Sequence, residues 1–167
     1  MRDYRSMTAV TALMLVLALS ADVSFACSRS SPFRLEELLQ ATVVVRVTAL
    51  DYATPPPQVP GLSDVVDSVV RFRVDEVLRG GDQPSLLLLP GLLTDYDDFN
   101  DQPVPYLGVR RGGRGGSCFA YSYRRDRQFL LFLQVVDGAF TPYWCPLGPT
   151  NEQLTSSHDP WLQWVRS

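Results

Sequence analysis

Short runs of β-branched and large apolar residues, separated by glycine and proline, constrain the fold of this chain more than any other feature of its sequence. The clearest run extends from Thr42 to Ala53 and contains three consecutive valines, Val43 to Val45. Such near-continuous apolar runs are typical of strands buried on both faces. The run from Val65 to Arg79 alternates apolar and charged residues, as expected of a half-exposed strand, and ends at two glycines that favour a turn. Further strands are predicted at 84–91, 128–136 and 139–144, with Asp137-Gly138 as a tight hairpin turn.

Two short helices are predicted beside these strands. The segment 33–42 has leucines at helical spacing with two glutamates between them. Near the end of the chain, Asp159 and Pro160 are residue types favoured at the N-cap and first position of a helix. The pattern predicts a mainly β fold, a small antiparallel barrel of the OB type with about five strands. A two-sheet sandwich is the competing architecture.

A long segment without a strand pattern, 92–117, separates the third predicted strand from the fourth. Its acidic run "TDYDDFND" offers oxygen ligands for calcium but lacks the glycine and terminal glutamate of an EF-hand loop. We therefore expect a solvated loop that pairs with Arg110, Arg111 and Arg114. The glycines around these arginines are typical of a flexible linker, with an anion site as the alternative.

The first 26 residues have the features of a secretory signal peptide. Two arginines precede an apolar segment from Met7 to Ala21, and the small residues Ser24 and Ala26 stand three and one positions before Cys27. The apolar segment is shorter than the roughly 20 residues that span a membrane. We therefore expect export to the periplasm or the extracellular space, with residues 27–167 as a single mature domain.

Composition and motifs give little support to enzyme chemistry or nucleic-acid binding. The formal net charge of −3 is not that of a nucleic-acid-binding or strongly cationic protein. His158 is the only histidine, and a Ser-His-Asp or Cys-His arrangement would have to include it. The sequence has no CxxC, HExxH or P-loop motif. We expect no catalytic residues, no metal site and no cofactor.

Cleavage before Cys27 would give this residue a free α-amine. The amine and the Cys27 carbonyl oxygen can form a five-membered chelate ring on a partner's zinc, at its open coordination position. Chelation requires a rigid terminus, because a mobile one loses too much entropy on binding. Two alternatives stay open. Cys27 serves only to anchor the terminus through a disulfide, or it is acylated. Ser24 and Phe25 differ from the leucine and small residue that lipoprotein processing favours.

The segment "CSRSSPFRLEELLQATVVVRVTAL", 27–50, resembles the start of the tissue inhibitors of metalloproteinases, which belong to the netrin-like (NTR) domain group. It has a cysteine at the processed terminus, a small second residue, a proline shortly after, a short helix and a β-branched strand. Later segments, "VVRFRVDEVLRGG", "GSCFAYSYRRDRQFLLFL" and "TPYWCPLGPTNEQL", are similar to strand and cysteine segments of bacterial inhibitor-like domains. From Cys27 to Leu154, the chain therefore resembles a bacterial exported member of this group.

The resemblance implies particular roles for the cysteines. Cys27 would chelate the zinc of a secreted metalloprotease, and the Ser28 side chain would enter the adjacent specificity pocket. Cys27 would be disulfide-bonded to Cys118, which leaves Cys145 as the odd thiol. At the third position this chain has Arg29 where the family has a second cysteine.

The function implied is that of an exported protein-binding module resembling metalloproteinase inhibitors. Its partner would be a secreted zinc metalloprotease or another envelope protein. The alternative is a secreted or envelope structural module without protease inhibition.

Overall fold

The computed structural model describes residues 33–56 and 68–167 and has a mainly β architecture, as predicted. A 3₁₀ helix at Leu35–Gln40 precedes the strands, and an α-helix, α1 (Pro160–Arg166), follows them. A second 3₁₀ helix spans Arg111–Gly113. The strands are β1 (Val43–Thr54), β2 (Val69–Arg79), β3 (Leu86–Pro90), β4 (Leu92–Thr94), β5 (Ser122–Arg124), β6 (Gln128–Val136), β7 (Ala139–Pro142) and β8 (Asn151–Gln153).

The main sheet is antiparallel and has the strand order β3-β2-β1-β6-β7, with β8 also pairing with β6. These pairings make the two end strands, β3 and β7, run parallel, and the two approach each other. No backbone ladder joins β3 to β7 in the described residues, so the predicted barrel is not closed. The short β7 ends at Pro142 and β3 ends at Pro90, and proline has no amide to donate across the gap.

Strands β1 and β6 at the centre of the sheet are buried on both faces. In β1, Val45 and Val47 belong to one core cluster while Val44 belongs to the other. In β6, Leu131 packs in the first cluster and Phe132 in the second. Because side chains alternate between the faces of a strand, a run of consecutive apolar residues supplies both clusters at once. This arrangement confirms the prediction of a strand buried on both faces.

Helix α1 covers the second cluster and begins as predicted. The Asp159 carboxylate accepts a hydrogen bond from the Trp161 amide at 2.8 Å, and Pro160 occupies the first helical position. Trp161 is completely buried and stacks on Tyr106 with a ring-centroid separation of 5.0 Å.

The hairpin between β6 and β7 also matches the prediction. Asp137 and Gly138 have positive φ values of 51° and 80°. Positive φ at both central residues is the geometry of a type I′ turn, whose twist suits two antiparallel strands.

Three strands, β4, β5 and β8, were not predicted. Strands β4 and β5 form a separate parallel pair, which ties the start of the 92–117 segment to the residues that precede β6. The Tyr52 hydroxyl accepts a hydrogen bond from the Leu93 amide at 2.8 Å and joins this pair to β1. The segment predicted as an irregular loop is therefore anchored at its first residues.

Candidate functional site

Cys118 is held in an unusual and well-supported backbone conformation. Its φ is +60°, in the left-handed region that costs a non-glycine residue on the order of 1 kcal/mol or more. The Cys118 carbonyl accepts a hydrogen bond from the Leu147 amide at 2.8 Å, and the Leu147 carbonyl accepts one from the Val109 amide at 2.7 Å. The sulfur is therefore attached to a backbone fixed by two neighbouring segments.

Cys145 is outside any disulfide and is buried, with only 2% of its surface exposed. Its sulfur lies 3.4 Å from a carboxylate oxygen of Glu37, on the N-terminal 3₁₀ helix. Gly148 approaches so closely that an added Cβ would lie 2.9 Å from this sulfur. The thiol is thus enclosed between the 3₁₀ helix and the turn that follows β7.

Aromatic side chains form a surface next to Cys118. Phe119 is buried, and its ring lies 4.7 Å from that of Tyr121 and 6.0 Å from that of Trp144, measured between centroids. Trp144 stacks on Phe119 yet remains 52% exposed. We call these four residues, Cys118, Phe119, Tyr121 and Trp144, the Trp144 surface. Exposed aromatic side chains on a rigid base are enriched at the centres of protein interfaces.

The acidic run pairs with the arginines, as predicted. Asp101 accepts hydrogen bonds from Arg111 at 3.0 Å and from Arg114 at 2.7 Å. Arg114, followed by Arg111, lowers the pKa of the Asp101 carboxyl to about 2. In the same way, hydrogen bonds from Arg124 lower the pKa of Asp97.

Arg110 takes a role that the sequence analysis missed. Its side chain is fully buried, and its guanidinium donates to the Asp98 carboxylate at 2.5 Å. The same group donates to the carbonyls of Asn151, Ala120 and Ser122 at 2.9, 3.1 and 2.5 Å. One side chain therefore joins the acidic run to β8 and to the segment that leads into β5. The flexible-linker interpretation of the glycine-rich stretch is wrong, because this stretch contains a 3₁₀ helix and a buried arginine that fixes it.

Glu152, beside Arg110, is the second buried charged residue of this network. One of its carboxylate oxygens accepts from the Arg110 amide at 3.2 Å, and the other accepts from the Asn100 side-chain amide at 3.0 Å. Burial raises the pKa of Glu152 to about 7, and the nearby Arg110 guanidinium and these hydrogen bonds only partly offset this effect. The Glu152 carboxylate thus accepts hydrogen bonds from both ends of the 100–110 stretch.

Three of the four aspartates in the acidic run are paired with arginines: Asp97 with Arg124, Asp98 with Arg110, and Asp101 with Arg111. The described ranges contain no group of three or more His, Cys, Asp or Glu side chains placed to hold a metal ion. His158 lies in the tail before α1, where its ring nitrogen is 3.2 Å from the Ser157 hydroxyl. None of the helices in the described ranges is long and apolar enough to cross a membrane.

The predicted partner-binding residues Cys27 and Ser28 lie outside the described residues, as do Arg29 and the predicted signal peptide, 1–26. The Cys27–Cys118 pairing also involves a residue outside these ranges and stays a prediction. What the structure describes is the setting of Cys118, which is rigid and flanked by aromatic side chains.

Comparison with known proteins adds no assignment. No protein-family model matches the chain, and no curated protein matches it either.

Proposed function

We propose that this protein is an exported, non-enzymatic protein-binding module that uses its mature N-terminus in the manner of metalloproteinase inhibitors. In this proposal, Cys27 is the first residue and is disulfide-bonded to Cys118. Its amine and carbonyl oxygen bind the zinc of a secreted metalloprotease, and Ser28 enters the adjoining pocket. The Trp144 surface packs against the protease around this contact.

The observation that carries the proposal is the rigid setting of Cys118 beside an exposed tryptophan. A terminus can act as a zinc ligand only if little entropy is lost when it docks. The left-handed backbone at Cys118 and its hydrogen bond to Leu147 would fix the sulfur to which Cys27 is attached. Local backbone strain of this kind is concentrated at functional sites.

Arg29, at the third position of the proposed mature chain, gives the terminus one disulfide fewer than in the inhibitor family. With Arg29 in place of a cysteine and Cys145 outside any disulfide, a single disulfide would hold the terminus. A bond from Cys27 to Cys118 would close a loop of about 90 residues, which in the chain-entropy model contributes about 4.6 kcal/mol to stability. Reduction is therefore expected to release the terminus and to destabilise the domain together.

Two forms of the chain that differ by one residue test the proposal. One form begins at Cys27 and the other has a single alanine before it, and both are assayed against a panel of secreted zinc proteases. The added residue removes the free amine from Cys27 and leaves the sequence of the described residues unchanged. We expect the form that begins at Cys27 to inhibit and the extended form to lose most of that inhibition. Equal potency of the two forms, or no inhibition by either, would contradict chelation by the terminus.

A pair of tryptophan and tyrosine variants tests the role of the aromatic surface. Trp144→Ala is expected to weaken protease binding by at least about tenfold, as for a central interface residue. Tyr96→Ala is the matched control, because Tyr96 is also an exposed aromatic residue, at 63%, but lies in the acidic run. If both variants bind as the parent does, the Trp144 surface is not part of the interface.

A further inference from the structure

An apolar groove lies on the face of the molecule covered by the two terminal helices. Its volume is about 380 Å³, within the range of small-molecule sites. Eight of its ten lining residues are aliphatic or aromatic, and they come from the N-terminal 3₁₀ helix, β1, β2, β6 and α1. Leu39 and Trp164 at its mouth are 65% and 38% exposed.

Arg79 gives this groove a charged end. It is one of two polar residues in the lining, the other being Ser167, whose hydroxyl donates to the Trp164 carbonyl at 2.7 Å. The Arg79 Nη1 donates to the carbonyls of Leu39 and Ala41 at 3.2 and 3.3 Å, which fixes the orientation of the guanidinium.

The charge of Arg79 has no carboxylate partner among the described residues. Most arginines in these ranges have one within 4 Å, including the buried Arg110 and the exposed Arg111. The contacts of Arg79 use one nitrogen and leave Nε and Nη2 as a two-pronged donor, which matches the two oxygens of a carboxylate.

From the charge complementarity of an oriented, unneutralised arginine at the end of an apolar groove, we propose that this groove binds a single-chain fatty acid. The carboxylate lies on Arg79, and the alkyl chain lies against Val44, Phe132 and Trp164. This site is separate from the Trp144 surface and does not depend on the proposed function.

Chain length and headgroup charge give distinct expectations. Each methylene group buried against apolar walls improves binding by up to about fourfold. Octanoate and decanoate differ by two methylene groups, so their affinities should differ by up to about fifteenfold. A charge-assisted hydrogen bond to the carboxylate is worth about 10- to 100-fold in affinity. The neutral 1-decanol should bind more weakly than decanoate by that factor.

The experiment is isothermal titration of the mature chain with octanoate, decanoate and 1-decanol, all below the concentrations at which they aggregate. Arg79→Gln is expected to weaken decanoate binding by about tenfold or more while leaving 1-decanol unchanged. Arg125→Gln is the matched control, because Arg125 is also exposed and without a carboxylate partner in the described ranges but does not line the groove. It should bind decanoate as the parent does.

A second variant locates the ligand without disturbing the core. Leu39 is largely exposed, so Leu39→Gln is expected to fold normally, and a thermal melt checks this. It should weaken decanoate and 1-decanol alike. The proposal is overturned if decanoate binds the parent and Arg79→Gln equally, if decanoate and 1-decanol have the same affinity for the parent, or if no binding is seen below the aggregation concentration.

Discussion

Glu152 should make the stability of this protein depend on pH in the direction opposite to that of most carboxylates. Its pKa is raised from 4.5 to about 7 because the carboxylate is completely buried. The native state therefore binds a proton more tightly than the unfolded state does between these values. As a result, the contribution of Glu152 to stability is fully present below about pH 4.5 and is lost as the pH rises through about 7.

The size of the effect follows from the shift. A difference of one pKa unit corresponds to about 1.4 kcal/mol, so this displacement gives roughly 3 kcal/mol over the full range. Between about pH 8 and about pH 5, the linkage relation gives about 2.5 kcal/mol. Asp75, Glu76, Asp97 and Asp101 have lowered pKa values, and their stabilising contributions are lost only at more acidic pH. These four carboxyls therefore do not obscure the pH-dependent contribution of Glu152 between about pH 5 and about pH 8.

Glu152→Gln isolates the effect, because glutamine has the same shape and does not titrate. Replacing an oxygen acceptor by an amide group opposite a donor adds a penalty of about 1–3 kcal/mol that is the same at every pH. The informative quantity is therefore the difference in unfolding free energy between parent and variant, measured by urea denaturation with tryptophan fluorescence. We expect this difference to shift in favour of the parent by about 2.5 kcal/mol from about pH 8 to about pH 5. Parallel pH profiles for the two proteins would refute a buried carboxylate with a raised pKa.

Two further predictions concern stability and use matched pairs. Arg110→Ala leaves buried carboxylates without their cation and should lower the free energy of unfolding by about 3–5 kcal/mol, measured by denaturant unfolding. Arg111→Ala, at a side chain 74% exposed, should lower it by less than about 1 kcal/mol. Equal losses would show that the buried Arg110 network does not hold the 92–117 segment. Gly138→Ala should cost about 1 kcal/mol because φ is +80° there and no atom lies within 4 Å of the added carbon, while Gly115→Ala, in equally open space without a positive φ, should leave the melting temperature unchanged. A melting temperature for Gly138→Ala equal to that of the parent would exclude the type I′ turn.

The strands that the sequence predicted are those in which side-chain chemistry alone decides the structure. Val43 to Val45 and the 128–136 run are rich in β-branched and large apolar residues, and such residues fit a pleated, buried surface wherever they occur. The turn at Asp137-Gly138 was equally visible, because few residue pairs accept positive φ twice in succession.

The buried polar network could not be predicted in the same way. Strand β8 is Asn-Glu-Gln, three polar residues that are all buried, and no hydrophobic pattern identifies such a strand. Burial of Arg110 is possible because its guanidinium donates to carbonyls of β5 and β8 that are distant from it in the sequence. Only the acidic run near three arginines signalled that the segment would be paired, and it did not show which arginine would be buried.

The proposed zinc binding by the terminus depends most directly on the chemical state of Cys27. Peptide mapping of the non-reduced, exported protein by mass spectrometry, with sequencing of its N-terminus, measures that state in one experiment. We predict a chain that begins at Cys27 with a free amine, a disulfide from Cys27 to Cys118, and Cys145 as a free thiol. An acyl group on Cys27, or a disulfide between Cys118 and Cys145, would contradict the proposal that the terminus binds zinc.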